Sequence, residues 1–392
     1  MKLLHTADWH VGKTIRGRSR AAEHEAVLAD LVRLADIEDV DLVLVVGDLF
    51  DSAAPTPDAE RIVYRTLLEL SRDGRPVVVV AGNHDNPRRL AALAPVFDQA
   101  HVHLHTGVLP PDEGGVLALE AGGVPVRLAL LPFVSQRHVV DADALMGHRA
   151  DVHALTYAER MRRVLDALAS GFEDHTVNVV VAHAMVADGV LGGGERSAHT
   201  IFDYWVPATA FPASAHYVAL GHLHRAQRIP GPCPIWYPGS PLPLDFGEQD
   251  DDKGALVVEA MPRTPASVDA VRLHGARRFR TVAGTVDELA VQVLPDDTAY
   301  VRVVVREPAR VGLADEVRAL FPDAVDIRVE PPATATDPAE AVAPLGSART
   351  PADQFAGYLT SRGIDDVRLV ALFDELHDEA VHLEPEEALD AP

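Results

Sequence analysis

Five short segments of the chain combine carboxylate, amide and imidazole side chains at close spacing. They are Asp8-Trp9-His10, Gly47-Asp48-Leu49-Phe50-Asp51, Gly82-Asn83-His84-Asp85, Ala182-His183 and Gly221-His222-Leu223-His224. Such donors favour manganese, iron, zinc or magnesium over copper(I). A carboxylate such as Asp48 can bridge two ions, and two ions about 3.5 to 4 Å apart activate a water and stabilise an in-line displacement at phosphorus. The residue types therefore predict phosphodiester hydrolysis.

Each segment taken alone also has an ordinary structural explanation. Gly, Asn and Asp dominate turns for backbone reasons, and a lone histidine such as His183 is typical of a satisfied, partly buried imidazole. Asp8 with His10 fits a turn that carries a surface histidine. All five segments, however, directly follow a predicted strand or lie in a strand-to-helix turn, and this shared placement favours one common site.

The elements that position these segments alternate between buried strands and amphipathic helices. Apolar β-branched runs predict strands at 42–46, 77–81, 128–131, 177–182 and 217–220. One helix face comprises Val27, Leu28, Leu31, Val32 and Ala35, and Thr56-Pro57 predicts the N-cap and first turn of a second helix. This alternation predicts an α/β fold, in which ligands bind at the carboxyl ends of the strands.

Composition limits the class of protein. The 392 residues are 47% hydrophobic, which suits a folded protein of two or three domains. The apolar runs fall far short of the roughly 18 residues that a membrane helix needs, and the N-terminus lacks the apolar core of a secretory signal. We therefore expect a cytoplasmic protein without membrane association. The single cysteine, Cys233, excludes an intrachain disulfide and a cysteine zinc cage.

The net charge of −24 opposes binding to nucleic acid. The acidic residues are unevenly spread, because thirteen Asp and Glu but only three Arg follow residue 330. Bound divalent ions also add positive charge at the site. Basic residues near the first and third segments are candidate phosphate contacts, with an ordinary solvated surface as the alternative. They are Lys13, Arg16, Arg18, Arg20, Arg88 and Arg89.

The chain beyond a first domain at 1–262 predicts smaller modules. Residues 263–330 indicate a separate α/β module, with strands at 300–305 and 325–329 around a helix at 313–321. Residues 331–351 are typical of a linker, 352–380 of a helical pair and 381–392 of an acidic tail. The pair either packs on its own domain or docks on a partner. Its apolar residues are Phe355, Tyr358, Leu359, Leu369, Leu372, Phe373 and Leu376.

In this order the five segments resemble the signature of the calcineurin-like metallophosphoesterase superfamily, DxH, GD, GNHD, H and GHxH. The stretches 5–13, 47–51 and 237–244 are similar to the SbcD family, the nuclease subunit of the SbcCD DNA repair complex. The resemblance covers the chain well to about residue 261 and loosely beyond. It implies an α/β/β/α sandwich with a capping domain and a helical tail. The implied activities are double-strand 3'–5' exonuclease and single-strand endonuclease, in DNA repair and recombination.

The resemblance also implies roles for the site residues. One divalent ion would be held by Asp8, His10, Asp48 and His224, and the other by Asp48, Asn83, His183 and His222. The resemblance favours Mn²⁺, with Mg²⁺, Fe²⁺ and Zn²⁺ left open. His84 would protonate the leaving oxygen or steady the transition state, because imidazole titrates near neutral pH. The alternative role of His84 is to orient Asn83.

The partners follow from the same resemblance. The module at 263–330 would cap the site and help to hold DNA, and the helical pair would dock on an SbcC-type ABC ATPase with a long coiled coil. A homodimer within a heterotetramer is expected. Two alternatives remain open: a small-molecule phosphodiesterase or phosphatase with the same metal site, and a noncatalytic scaffold that binds partners or DNA ends.

Overall fold

The computed structural model describes residues 1–135, 156–192 and 205–330, and the isolated positions 138, 139, 142, 145, 146, 355, 359, 368, 369, 372 and 373. The chain divides into two compact units, Met1–Pro332 and Ala333–Pro392. The predicted linker at 331–351 and acidic tail at 381–392 lie outside the described residues. None of the helices in the described ranges has the length and apolar character that a membrane span requires.

The first unit is built from six α-helices and nineteen strands within the described ranges. The helices are α1 Ala21–Ile37, α2 Pro57–Leu70, α3 Pro87–Phe97, α4 Tyr157–Ala169, α5 Val286–Ala290 and α6 Leu313–Leu320. The first ten strands are β1 Lys2–Thr6, β2 Thr14–Ile15, β3 Arg18–Ser19, β4 Leu42–Val46, β5 Val77–Val80, β6 Val102–His105, β7 Val116–Ala121, β8 Val124–Leu131, β9 Val177–His183 and β10 Met185–Val186. The others are β11 Trp205–Val206, β12 Tyr217–Gly221, β13 Gln227–Ile229, β14 Ile235–Tyr237, β15 Gly254–Met261, β16 Thr264–Arg272, β17 Phe279–Gly284, β18 Tyr300–Val305 and β19 Asp326–Val329.

Two six-stranded sheets form the centre of this unit. The first has the order β16-β15-β1-β4-β5-β6 and the second the order β13-β14-β12-β9-β8-β7. Strands β1, β4, β5 and β6 are parallel, as are β8, β9, β12 and β14. The carboxyl ends of the parallel strands within each sheet therefore lie at one edge of that sheet.

Three apolar cores stabilise the packing of the two sheets and of the helices that cover them. The core between the sheets includes Leu44, Val179 and Tyr217. Helices α1, α2 and α3 pack on the outer face of the first sheet, and α4 packs on the outer face of the second. This arrangement confirms the predicted α/β/β/α sandwich. The five predicted strands and the predicted face of α1 are also present, and Thr56 caps α2 by accepting a hydrogen bond from the amide of Ala59 at 3.3 Å.

A small third sheet of parallel strands has the order β17-β18-β19. Helices α5 and α6 cover it through Leu289, Leu313 and Val317. Strand β16, which the sequence analysis assigned to the module at 263–330, instead pairs with β15 in the first sheet. The small sheet thus begins at Phe279. The hairpin of β15 and β16 was not evident in the sequence because the outer strand is mostly exposed and has only two large apolar residues, Val268 and Val271.

A buried histidine ties the first sheet to the second. The Nε2 atom of His5 donates to the carbonyl oxygen of Leu220 at 3.0 Å, and its Nδ1 accepts from the hydroxyl of Tyr217 at 2.8 Å. A carbonyl can only accept, which fixes this neutral tautomer. Because His5 lies in β1 and Leu220 in β12, the bond links the two strands that lead into Asp8 and His222.

This histidine makes stability depend on pH. Burial lowers the pKa of His5 from 6.5 to about 3, so the unfolded chain binds a proton at a pH where the native chain does not. The contribution of neutral His5 to the free energy of unfolding is complete above pH 6.5. It is lost as the pH falls towards 3, at up to about 1.4 kcal/mol per pH unit. We expect His5→Gln to flatten the acid side of a plot of unfolding free energy against pH. The exposed His101→Gln is the control, and an unchanged slope for His5→Gln contradicts the prediction.

Candidate metal centre

The seven predicted metal ligands all lie at the carboxyl ends of central strands. Asp8 and His10 follow β1, and Asp48 follows β4. The other four belong to the ends of β5, β9 and β12 and are Asn83, His183, His222 and His224. Six of the seven, together with His84, form three overlapping clusters of donor atoms, each within 4.8 Å: Asp8 with His10 and His224, His10 with Asp48 and His84, and Asp48 with His183 and His222.

Asp48 occupies the middle of the centre. Its Oδ2 atom lies 3.5 Å from Nε2 of His10 and 3.6 Å from Nε2 of His183. Its Oδ1 atom accepts a hydrogen bond from the amide of His84 at 2.8 Å. One carboxylate oxygen therefore faces both histidines, the placement that a ligand shared between two ions requires.

The remaining donors complete two groups beside this carboxylate. On one side, Nε2 of His10 lies 3.1 Å from Nε2 of His224. On the other, Oδ1 of Asn83 lies 2.9 Å from Nε2 of His183 and 2.8 Å from Nδ1 of His222. The amide oxygen of Asn83 thus joins the second group. Imidazole, amide and carboxylate donors in these numbers fit two divalent ions of intermediate hardness.

Four of the eleven non-glycine residues with a positive φ angle in the described part of the chain are predicted ligands. Asp8, His10, Asp48 and His222 have positive φ angles of 54°, 46°, 51° and 110°. Non-glycine residues rarely adopt such angles, because each costs of order 1–3 kcal/mol and persists only where the surrounding structure enforces it. The strained backbone at these four residues directs their side chains towards the same centre. It lowers the local stability, which is typical of a functional site.

Two glycines allow the strand ends to approach each other. Gly47 has a φ of 80°, and a Cβ atom there would lie 2.1 Å from Nδ1 of His183 and 2.9 Å from Cα of Gly82. A Cβ on Gly221 would lie 1.8 Å from the carbonyl oxygen of Val46. Only glycine fits both positions, so the glycines of the GD and GHxH segments bring the two sheets into contact at the centre.

Gly47→Ala is accordingly expected to damage both stability and metal binding. The added methyl group displaces His183 and holds a strained φ, which together cost at least about 2 kcal/mol. The free energy of unfolding and Mn²⁺ binding by calorimetry measure the two effects. Gly107→Ala is the matched control, because a Cβ there meets nothing within 4 Å. Equal stability of the two variants would show that the close approach is not needed.

The buried ionisable groups of the centre shift one another's pKa values. Burial raises the pKa of Asp8 to about 7. Burial opposes the charged form of His183, but the Asp48 carboxylate outweighs it and raises the pKa of His183 to about 9. The same histidine holds the pKa of Asp48 well below its usual value, although burial works the other way. Bound divalent ions would supply the positive charge that stabilises the two buried carboxylates, Asp8 and Asp48.

His84 is oriented by the loop after β4. Its Nδ1 atom donates to the backbone carbonyl of Asp51 at 2.8 Å, which leaves Nε2 as the basic nitrogen of the neutral ring. The ring lies edge-on to that of His10, with centroids 4.5 Å apart. Asp85 supports the turn, because its carboxylate accepts from the amides of Gly82 and Phe50. The structure therefore places His84 at the centre in a defined orientation.

The sequence analysis did not identify several residues that contact the predicted ligands. Glu248 is completely buried and hydrogen bonds to Nδ1 of His224 at 3.1 Å, while Lys253 pairs with Glu248 at 2.7 Å. Burial opposes ionisation, but His224 and Lys253 lower the pKa of Glu248 to about 2. The ring of Phe133 stacks on that of His222, with centroids 6.1 Å apart. No spacing or periodicity signals these contacts, since each residue lies far in sequence from the ligand that it touches.

The predicted phosphate contact by Arg20 is wrong. This side chain is buried, pairs with Glu23 at 3.0 Å and donates to the carbonyl oxygen of Pro243 at 2.6 Å. Its guanidinium also lies 5.3 Å from the ring centroid of Phe279 and 5.6 Å from that of Tyr300. Arg20 therefore joins α1 to the small sheet and cannot reach DNA.

The other basic candidates are on the surface, and most are paired. Lys13 pairs with Asp51 at 3.1 Å, Arg16 with Asp326 at 2.9 Å and Arg89 with Glu60 at 2.8 Å. Arg18 donates to the backbone carbonyl of Asp323. Arg88 is exposed and forms no ion pair within the described part of the chain. Contact with phosphate stays a prediction for these five residues.

The second unit contains the predicted partner-binding residues. Five of them are helical, namely Phe355, Leu359, Leu369, Leu372 and Phe373, and Tyr358 and Leu376 lie outside the described residues. The rings of Phe355 and Phe373 stack with centroids 4.5 Å apart, so these two helical positions are in contact.

Comparison with known proteins agrees with the fold and the centre. Residues 1–226, more than half of the chain, match the family described as Calcineurin-like phosphoesterase. The chain is therefore a calcineurin-like phosphoesterase.

Individual relatives narrow the family further. The chain is 36% identical over 288 residues to the SbcD component of the nuclease SbcCD of Bacillus subtilis, covering 71% of each chain. It is 35% identical over 318 residues to the SbcD protein of Rhodobacter capsulatus, covering 76% of this chain and 77% of the relative. The identity to the SbcD protein of Escherichia coli K12 is 29% over 307 residues, covering 75% and 73%. The chain belongs to this family of SbcD proteins.

Proposed function

We propose that the protein is a metal-dependent nuclease that hydrolyses phosphodiester bonds in DNA. The observation that carries the proposal is the position of Asp48, whose Oδ2 atom faces His10 on one side and His183 on the other. Two donor groups that share one carboxylate suit a pair of divalent ions. When bound, such a pair supplies a nucleophilic hydroxide and electrophilic stabilisation at phosphorus. Membership of the SbcD family supports DNA as the substrate.

The side chains of the centre have distinct tasks in this proposal. Asp8, His10, Asp48 and His224 hold one ion, and Asp48, Asn83, His183 and His222 hold the other. The hydrogen bond from Nδ1 of His84 to the carbonyl of Asp51 fixes the ring and places the lone pair of the neutral ring on Nε2. We assign to His84 the protonation of the leaving oxygen, a task suited to imidazole near neutral pH. Mn²⁺ is the proposed native ion.

The partners are part of the same proposal. Relatives named as the SbcD component of a nuclease SbcCD support assembly with an SbcC-type ATPase, for which we propose the helical residues of the second unit as the docking element. The small sheet between Phe279 and Val329 is proposed to cap the centre and contact DNA, together with Arg88. A homodimer of this chain completes the proposed complex.

The decisive comparison is between DNA and a small ester. With Mn²⁺ present, end-labelled linear duplex and circular single-stranded DNA are expected to be cleaved, and chelation is expected to stop both reactions. A chromogenic small phosphodiester is the parallel substrate. If only the small ester is hydrolysed, even with an SbcC-type ATPase and ATP, the protein is a small-molecule phosphodiesterase. If two ions bind and neither substrate is cleaved, the protein is a noncatalytic scaffold.

A further inference from the structure

A buried carboxylate stands directly behind one of the proposed metal ligands. Glu248 ends a single 3₁₀ turn, Phe246–Glu248, and is completely inaccessible to solvent. Its Oε1 atom lies 3.1 Å from Nδ1 of His224. The opposite nitrogen of the same ring, Nε2, lies 3.1 Å from Nε2 of His10. The imidazole of His224 is therefore held between Glu248 and the metal centre.

The second oxygen of Glu248 is also held. Oε2 accepts a hydrogen bond from the amide of Leu244 at 2.9 Å and one from the hydroxyl of Ser240 at 3.4 Å. The ammonium of Lys253 lies 2.7 Å from Oε2 and also donates to the carbonyl oxygen of His224 at 2.7 Å. Lys253 is itself buried, so the carboxylate is both charge-balanced and fixed in position.

This geometry determines which nitrogen of His224 can bind a metal ion. An ionised carboxylate can only accept hydrogen bonds, so Nδ1 of His224 must be the donor. The neutral ring then has its lone pair on Nε2, the nitrogen that faces His10. Such hydrogen bonds orient metal-binding histidines and raise their basicity, and their loss typically costs about 10- to 100-fold in metal affinity.

We infer that Glu248, held by Lys253, is a positioning residue that fixes the tautomer and orientation of His224 for binding of one of the two ions. The inference rests on the proposed function, in which His224 is a ligand. It also explains why this loop carries a buried ion pair. Asn83, His183 and His222 form the other side of the centre, whereas Glu248 hydrogen bonds to His224, so we expect the main effect of Glu248 on the ion that His224 holds.

The test is metal binding by the full-length chain carrying Glu248→Gln. Titration calorimetry with Mn²⁺ is expected to show one site weakened by about 10- to 100-fold and the other near its wild-type affinity. The electron paramagnetic resonance spectrum at two equivalents of Mn²⁺ should lose its spin-coupled component. Glu23→Gln is the matched control, because it removes a buried carboxylate paired with Arg20 that contacts none of the proposed ligands.

A second variant distinguishes a loss of stability from a loss of the His224 orientation. Glu248→Gln leaves the buried Lys253 with only Asp251, at 3.7 Å, as an ion-pair partner in the described part of the chain. Glu248→Gln combined with Lys253→Met removes both charges of the Glu248–Lys253 pair. The double variant is expected to recover stability while Mn²⁺ binding stays weak. Wild-type affinity at both sites in the folded double variant overturns the inference. If His224→Ala also binds two ions normally, the ligand assignment itself fails, which distinguishes the two failures.

Discussion

Asp48→Asn is expected to remove both metal ions and to lower DNA cleavage by at least about 10³-fold. The substitution keeps the size of the side chain but removes the charge that faces His10 and His183. Removing one electrostatic contact to a transition state costs about 10²- to 10³-fold in rate, and this carboxylate is proposed to hold two ions at once. The loss should therefore exceed that range.

The measurement is the metal content of the purified variant together with its rate of cleavage of end-labelled DNA. Asp58→Asn is the matched control, since this carboxylate is exposed at the start of α2. The control should bind two ions and cleave DNA at the wild-type rate. An Asp48→Asn protein that binds two ions normally contradicts the role of Asp48 as the shared ligand.

His84→Ala is expected to separate catalysis from metal binding. In the proposed role His84 exchanges a proton with the leaving oxygen, and loss of a general acid lowers the rate by about 10²- to 10⁴-fold. The seven proposed ligands are untouched, so two equivalents of Mn²⁺ should still bind. The effect should fall on kcat, because the side chain acts on the bond that breaks.

Calorimetry and single-turnover cleavage of the same preparation measure the two properties. His175→Ala, at an exposed position, is the control for removal of an imidazole. If His84→Ala loses one ion, His84 is a ligand, in agreement with its place in the cluster with His10 and Asp48. If neither binding nor cleavage changes, His84 has no part in the reaction.

Local patterns in the sequence were sufficient to predict an α/β fold and the ligand candidates, whereas the sandwich was expected from the family resemblance. Strands such as Leu42–Val46 are continuous apolar runs, and the chemistry follows each run within a few residues. Parallel strands bring distant segments to one edge of each sheet. The packing of the two sheets then brings Asp8 of the first sheet to His224 of the second, although more than two hundred residues separate them.

The supporting contacts could not be predicted, because they depend on tertiary packing alone. Glu248 and Lys253 lie in a loop without periodicity, and nothing in their spacing indicates that they reach His224. Arg20 was a candidate phosphate contact because it lies close in sequence to the first segment. It is buried because Glu23 and two aromatic rings of the small sheet supply a charge partner and cation–π contacts.

Anomalous diffraction from crystals of the full-length chain grown with Mn²⁺ tests the two-ion centre most directly. Data collected at the manganese absorption edge should show two peaks about 3.5 to 4 Å apart, one on each side of the Asp48 carboxylate. One peak should lie among Asp8, His10 and His224, and the other among Asn83, His183 and His222. A single peak, or peaks away from Asp48, would contradict the two-metal nuclease.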